Sequence, residues 1–359
     1  MPSTIYEPII DRRRPSGKVP SAKFDPERHL AFEEPVSTLT WQDLGYPKDH
    51  GVSPIAVAQP FRLFTDEAIQ YMRNEILQVE VMEKFRVSST IAAMQVRGYV
   101  ETHAPFIYAA WKHPKTLEIL SQVMGIDLSI KVDHEIGHVN FAVKSEALET
   151  DIDIQTGDSR YPGADATTGT KYDAEKEVVG WHYDSYPFSC VTMLSDSTNM
   201  VGGETAVQLG DSKGILKLAQ PRLGYATLLQ GRYVLHKGLT AGPGRERLSM
   251  VTSLWPRSAF VRDESFLTNI RTVSNNSQLY VQFAEYRLAM LEERTRAQLE
   301  NIKRCRDKGD QIDMTALKTF IADQQEHLRI TDLALLEENM IERGIVKEIA
   351  VENEAVDAT

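Results

Sequence analysis

Between residues 61 and 125 two stretches carry apolar positions with the period of a helix. In FTDEAIQYMRNEIL, Ile69, Met72, Ile76 and Leu77 recur at helical spacing, and Thr65 followed by Asp66 and Glu67 predicts an N-cap and an acidic first turn. A helical pair is expected in APFIYAAWKHPKTLEILSQVMG, broken at Pro114 and closed by Gly125. From 128 the period changes to two: LSIKVDHEIGHVNFAV alternates and is rich in Ile and Val, which predicts a strand. A polar stretch at 156–177 follows. Short strands are then expected at 178–183, at 189–195, and in GETAVQL, GYATLLQG, YVLHKG and RLSMVTSLWP, with Gly-containing turns between them. After about 277 a long charged helix is expected, with an apolar seam at Leu288, Leu291, Leu299 and Ile302. Helices over 313–328 and 332–343 should follow, the last closed by Gly344.

This order predicts an α+β chain with a mainly β core, a sandwich or barrel of the jelly-roll kind. It divides into an extended, Pro-rich N-terminal arm (1–60), a core with flanking helices (61–276), a helical C-terminal region packed on the core or forming a dimer interface (277–345), and an acidic tail (346–359).

Composition narrows the classes of function. A net charge of −11 disfavours a protein that tracks nucleic-acid phosphates, and the dense basic run DRRR at 11–14 reads as a solvated arm. Two distant cysteines, Cys190 and Cys305, argue against a disulfide scaffold and for a reducing compartment. No secretory signal and no apolar run long enough for a membrane span is evident, so a cytoplasmic protein with a small-molecule substrate is expected.

Two clusters compete as metal sites. HEIGH at 134–138 matches H-E-x-x-H, which on a helix places two histidines on one zinc ion with the glutamate as general base. On a strand, residues four apart are separated by ~13 Å at ~3.3 Å per residue, too far for one ion. The flanks read as strand and no third ligand is singled out, although Glu146 and Glu149 follow. On this reading His134, Ile136, His138 and Asn140 share one face, with Glu135 turned the other way. His138 and Asn140 are then candidates for substrate hydrogen bonds. Arg97 is a candidate for a substrate carboxylate or a structural ion pair. His29, His50, His103, His113 and His327 read as loop or helix-surface residues.

The second cluster is GWHYDSYPF. His182 and Asp184, two apart at a strand end, present their side chains the same way, with Tyr183 between them pointing away. His236, on a later strand, is the natural third ligand of a facial triad, which leaves coordination positions open on a non-haem iron. Arg247 and Ser249 share a face in RLSM and suit a carboxylate, Arg as a fork and Ser as an added donor. One anchor for an anion beside such a site implies a dicarboxylate co-substrate that also chelates the metal.

The ordered set GWHYDSYPFSCVTMLSD, GGETAVQL, QPRLGYATLLQG, LHKG and GRERLSMVTS resembles the Fe(II)/2-oxoglutarate-dependent oxygenase superfamily over roughly 178–257. The stretch APFIYAAWKHPKTLEILSQVMGIDL running into HEIGHVNF is similar to a fungal branch of it. The resemblance implies a double-stranded β-helix with flanking helices, iron on His182, Asp184 and His236, and 2-oxoglutarate on Arg247 and Ser249. It further implies O₂-dependent oxidation of an amino acid or secondary-metabolite intermediate, by hydroxylation, desaturation or ring closure, with release of succinate and CO₂. The competing readings are a zinc metallohydrolase built on HEIGH and a non-catalytic jelly-roll interaction protein.

Overall fold

The computed structural model describes residues 22–90, 92–142, 177–198, 200–210, 214–239 and 247–346. The basic run at 11–14, Glu146 and Glu149, the polar stretch up to residue 176 and the acidic tail from 347 lie outside the described residues. The helices are α1 (Pro26–His29), α2 (Asp66–Ile76), α3 (Val79–Lys84), α4 (Val100–His103), α5 (Pro105–Lys112), α6 (Pro114–Met124), α7 (Asn276–Lys308) and α8 (Met314–Ala334). The first strands are β1 (Thr38–Thr40), β2 (Ile55–Arg62), β3 (Arg86–Ser89), β4 (Ala92–Val96), β5 (Leu128–Ser129), β6 (His138–Ala142) and β7 (Glu177–His182). They are followed by β8 (Phe188–Met193), β9 (Thr205–Gln208), β10 (Ile215–Lys217), β11 (Tyr225–Leu229), β12 (His236–Leu239) and β13 (Arg247–Pro256). The architecture is thus mixed, helices around one large antiparallel sheet in the order β1-β2-β11-β8-β13-β6-β4-β7-β12-β9-β10, with β3 on β4 and β5 on β13.

Local chemistry accounts for the helices that flank the sheet. The Thr65 hydroxyl accepts the Ala68 amide at the start of α2, α5 and α6 begin on Pro105 and Pro114, and Gly125 closes α6 at φ 67°. Nothing in its own sequence caps α5. Glu75 of α2 does so instead: its two carboxylate oxygens accept the Phe106 and Ile107 amides at 2.8 and 3.0 Å. Burial pushes the Glu75 carboxyl up to about 7, against these two amides, which favour the charged form. A folded pKa above the unfolded one means stability that is complete below about pH 4.5 and is lost as pH rises through about 7. Glu75→Ala should therefore cost about 2–4 kcal/mol in denaturant titrations. Glu75→Gln, which has no charge to bury, should compare better with the parent at about pH 8 than at about pH 5.

Strand β13 shows how the sheet is used. All ten of its residues are buried, yet they alternate in kind. Leu248, Met250 and Leu254 join a core with α2, α5 and α6, while Arg247, Ser249, Val251 and Ser253 line a cavity on the opposite face. Its neighbours repeat the division: Phe188 and Cys190 against Ser189 and Val191 on β8, Val139 and Phe141 against His138 and Asn140 on β6. His182, Thr205 and His236, from β7, β9 and β12, line that same cavity, so the sheet folds over on itself around it.

Four expectations need correction. Residues 22–60 are not an extended arm: they supply β1 and most of β2, and Trp41 is fully buried with its Nε1 donating to the Ser53 carbonyl. The strand expected across 128–143 is interrupted. Residues 133–135 form a 3₁₀ turn, and Gly137 takes φ 64°, where an added Cβ would crowd Ile107, Val100 and Met250. The helix expected at 332–343 does not form as a unit, because α8 runs on to Ala334 and a short 3₁₀ turn follows at 338–340. Finally, α7 packs on the core through Leu279, Phe283, Tyr286 and Met290, whereas Leu288 and Leu299 of the expected seam are exposed. No helix among the described residues is long and apolar enough to cross a membrane.

Candidate metal and co-substrate site

Strand β7 ends at His182 and pairs it directly with His236, the first residue of β12. The two rings lie 4.4 Å apart, centroid to centroid. Each Nδ1 is bonded to the carbonyl two residues before it, His182 to Gly180 at 2.7 Å and His236 to Val234 at 2.9 Å. Those bonds make Nδ1 the donor in each ring and leave both Nε2 lone pairs free. Asp184 lies just past β7, its amide bonded to the Gly231 carbonyl at 2.9 Å. Its two oxygens sit 3.4 Å from His182 Nε2 and 3.5 Å from His236 Nε2.

Among the described residues, one group of three or more His, Cys, Asp or Glu side chains gathers its donor atoms tightly enough for a metal ion. It is His182, Asp184 and His236, all within 4.8 Å of one another. Electrostatics favours an ionised Asp184 and a neutral His236. Burial opposes ionisation of Asp184, but His236, His182 and the Ser189 hydroxyl outweigh it and hold the carboxyl far below its usual range. Burial pushes His236 down to about 4, so its imidazole is neutral; it opposes charge on His182 too, but there Asp184 wins and raises the pKa.

Two supports of this triad escaped sequence reading. Ser189 donates to Asp184 Oδ2 at 2.5 Å, and Gly231 has no side chain where a Cβ would stand 1.8 Å from that same oxygen. Ser189 was legible in principle, since it alternates with core residues on β8. Gly231 lies in an ordinary-looking turn, and nothing local marks it.

Arg247 and Ser249 come from β13 on the same cavity face. Arg247 is 3% exposed, with Nε donating to the Gly203 carbonyl at 2.9 Å and Nη1 to Ser249 Oγ at 3.1 Å. Among the described residues no carboxylate lies within ion-pair distance of it; Glu204 acts only from farther away, and burial lowers the guanidinium to about 10. With those two bonds made and its charge unbalanced, this buried guanidinium keeps Nη2 without a hydrogen-bond partner among the described residues, an arrangement an anion would stabilise.

HEIGH does not assemble a metal site. His134, in the 3₁₀ turn, is buried against Gly98 and lines an outer groove, whereas His138 begins β6 and lines the cavity. The two histidines therefore do not share a face, and the zinc-hydrolase reading fails on that separation. Glu135, expected to face away, lines the cavity and holds Arg97 at 2.7 Å. The phase error comes from carrying strand alternation through the turn and Gly137. Asn140 lines the cavity and accepts from Gln95 Nε2 at 2.6 Å. His29 and His327, expected at the surface, are buried, the latter bonded to the Arg287 carbonyl at 2.9 Å.

No family model matches the chain, and no curated protein does. Among solved structures it is similar to a 2OG-Fe(II) oxygenase family oxidoreductase from Burkholderia pseudomallei, at 16% identity and TM-score 0.30 over 48% of this chain and 64% of that one. It is also similar to the epimerase SnoN in complex with Fe³⁺, α-ketoglutarate and nogalamycin RO, at 14% identity and TM-score 0.36, over 61% and 84%. A third is a Pseudomonas putida prolyl-4-hydroxylase, at 17% identity and TM-score 0.31, over 60% and 95%. The match spans less than two thirds of the first of these chains. Likeness at this level carries no functional argument, which rests on the side chains above.

Proposed function

We propose that the chain is a non-haem Fe(II)/2-oxoglutarate-dependent oxygenase with a double-stranded β-helix core, of the fungal branch its sequence resembles. The observation that carries this reading is the convergence of two imidazoles and one carboxylate in a cavity that also holds an unbalanced, buried Arg247. His182, Asp184 and His236 would hold the iron, and Arg247 with Ser249 would take the distal carboxylate of 2-oxoglutarate. Three protein ligands leave positions for a co-substrate and O₂. When bound, iron and 2-oxoglutarate supply oxidation of an unactivated C–H by hydroxylation, desaturation or ring closure, with succinate and CO₂ released. The chain's own part is to orient these groups and to keep water from the reacting carbon.

The substrate in this reading is an amino acid or secondary-metabolite intermediate, in keeping with a chain of net charge −11 that is ill suited to nucleic acid. A cytoplasmic location accords with Cys190 and Cys305 both being free thiols. The exposed Leu288 and Leu299 of α7 support pairing of two copies through the C-terminal helices.

Anaerobic titration with Fe(II) and 2-oxoglutarate, followed by a succinate assay, tests the activity. A charge-transfer band that needs both components is expected; tight zinc binding with peptidase activity and no such band would sink the reading. Arg247→Met makes a sharper prediction. Loss of the anchor should raise the apparent KM for 2-oxoglutarate on the order of 100-fold. Removal of an unbalanced buried cation should at the same time raise the melting temperature of the ligand-free protein.

A further inference from the structure

Beside the triad the cavity wall carries a second polar device, formed by Arg97 and Glu135. Both are almost fully buried, with side chains 4% and 1% exposed, and they meet through a single contact, Nη2 to Oε2 at 2.7 Å. Arg–carboxylate pairs frequently close through two parallel hydrogen bonds, and this one does not. Here Arg97 Nε and Glu135 Oε1 are buried and have no hydrogen-bond partner among the described residues. The same is true of Tyr186 Oη, Ser185 Oγ and His138 Nδ1, and all five residues line the cavity with the triad. Each such atom left unsatisfied costs about 1–3 kcal/mol, a strong reason for a ligand to supply the missing bonds.

The chemistry of that ligand can be read from the wall. The charges of Arg97 and Glu135 cancel, so a net anion or a net cation finds no excess of opposite charge there. A spare donor sits on the cation and a spare acceptor on the anion of one ion pair. A head group with its own adjacent ammonium and carboxylate can lie antiparallel to this pair, ammonium on Glu135 and carboxylate on Arg97. Each of the four charges then has an opposite neighbour, which a neutral polyol or a simple acid cannot achieve.

We infer that the substrate bound beside the triad is a small zwitterion, a free amino acid or close analogue, gripped by its head group between Arg97 and Glu135. This rests on the oxygenase reading for the reaction that follows, but not for the binding itself.

Calorimetry with a panel of free L-amino acids, each compared with its N-acetyl and its carboxamide form, tests the grip directly. At least one free amino acid should bind saturably at millimolar concentration or below, and blocking either end should weaken it by on the order of 10-fold or more. Glu135→Gln keeps the shape and removes the negative charge, so it should abolish the preference for a free amine and improve binding of the N-acetyl acid. A side chain with only a structural role would not reverse the preference in this way. The parent comparison stands even where the variant fails to fold. No saturable binding by any free amino acid, or equal binding of the blocked forms, overturns the inference. The iron and 2-oxoglutarate titration is run on the same preparation. A normal charge-transfer band with no amino-acid binding sinks the zwitterion alone, and amino-acid binding with no band sinks the oxygenase alone.

Discussion

Asp184→Ala is expected to remove iron binding and bring 2-oxoglutarate-dependent succinate formation below detection. Asp184 is the one anionic member of the triad and lies between the two Nε2 atoms, touching both at 3.4 and 3.5 Å. Without it two neutral imidazoles remain, and a divalent ion loses both a ligand and the negative charge that offsets its desolvation. The change should be local, since the helix-side core does not include Asp184 and the two histidines keep their Nδ1 bonds to Gly180 and Val234. Metal content after anaerobic reconstitution and gel filtration checks this, alongside a melting curve. His134→Gln provides the contrast, because a zinc site on HEIGH would depend on it and the triad does not. Loss of metal in His134→Gln with retention in Asp184→Ala would reverse the assignment.

The parts of this site that were legible in the sequence are those set by short-range periodicity. Two-residue spacing brings Arg247 and Ser249 to one face of a strand, and it presents His182 and Asp184 together at a strand end. Strand β13 was legible for a related reason: its alternation of polar and apolar residues survives burial, because one face meets a cavity and the other a core. What stayed hidden depends on contacts between distant segments or on a break in period. The interruption at Gly137 rephases HEIGH and brings Glu135 into the cavity, and a lone glycine within an alternating run does not announce a positive φ. β2 reads IAVAQPFR, with both faces largely buried and a proline inside, so no alternation marks it as a strand. The α5 cap comes from Glu75 on another helix, and the space for Asp184 comes from a glycine 47 positions on, which no local pattern encodes.

That glycine gives the second large effect. Gly231→Ala, the addition of one methyl group, is expected to lower iron affinity and turnover on the order of 100-fold while the protein stays folded. The new Cβ would lie 1.8 Å from Asp184 Oδ2, 2.6 Å from Cγ and 3.0 Å from Cβ. Contacts below 3.0 Å require movement, and the question is which side yields. Asp184 is tied to this turn by the hydrogen bond its amide donates to the Gly231 carbonyl, so its backbone cannot retreat without breaking that link. The side chain must rotate instead, which breaks the Ser189 hydrogen bond to Oδ2 and carries the carboxylate away from His182 and His236. Overpacking of this kind costs about 1–3 kcal/mol, enough to shift a melting curve by a few degrees but not to unfold a chain of this size. Ser189→Ala separates the two components of the effect: it removes the same hydrogen bond without the clash and should weaken metal binding by only about 10-fold. Iron titrations of the two variants therefore rank the contributions. Full metal affinity in Gly231→Ala would mean that Asp184 does not need the position it occupies, and that the triad is not the metal centre.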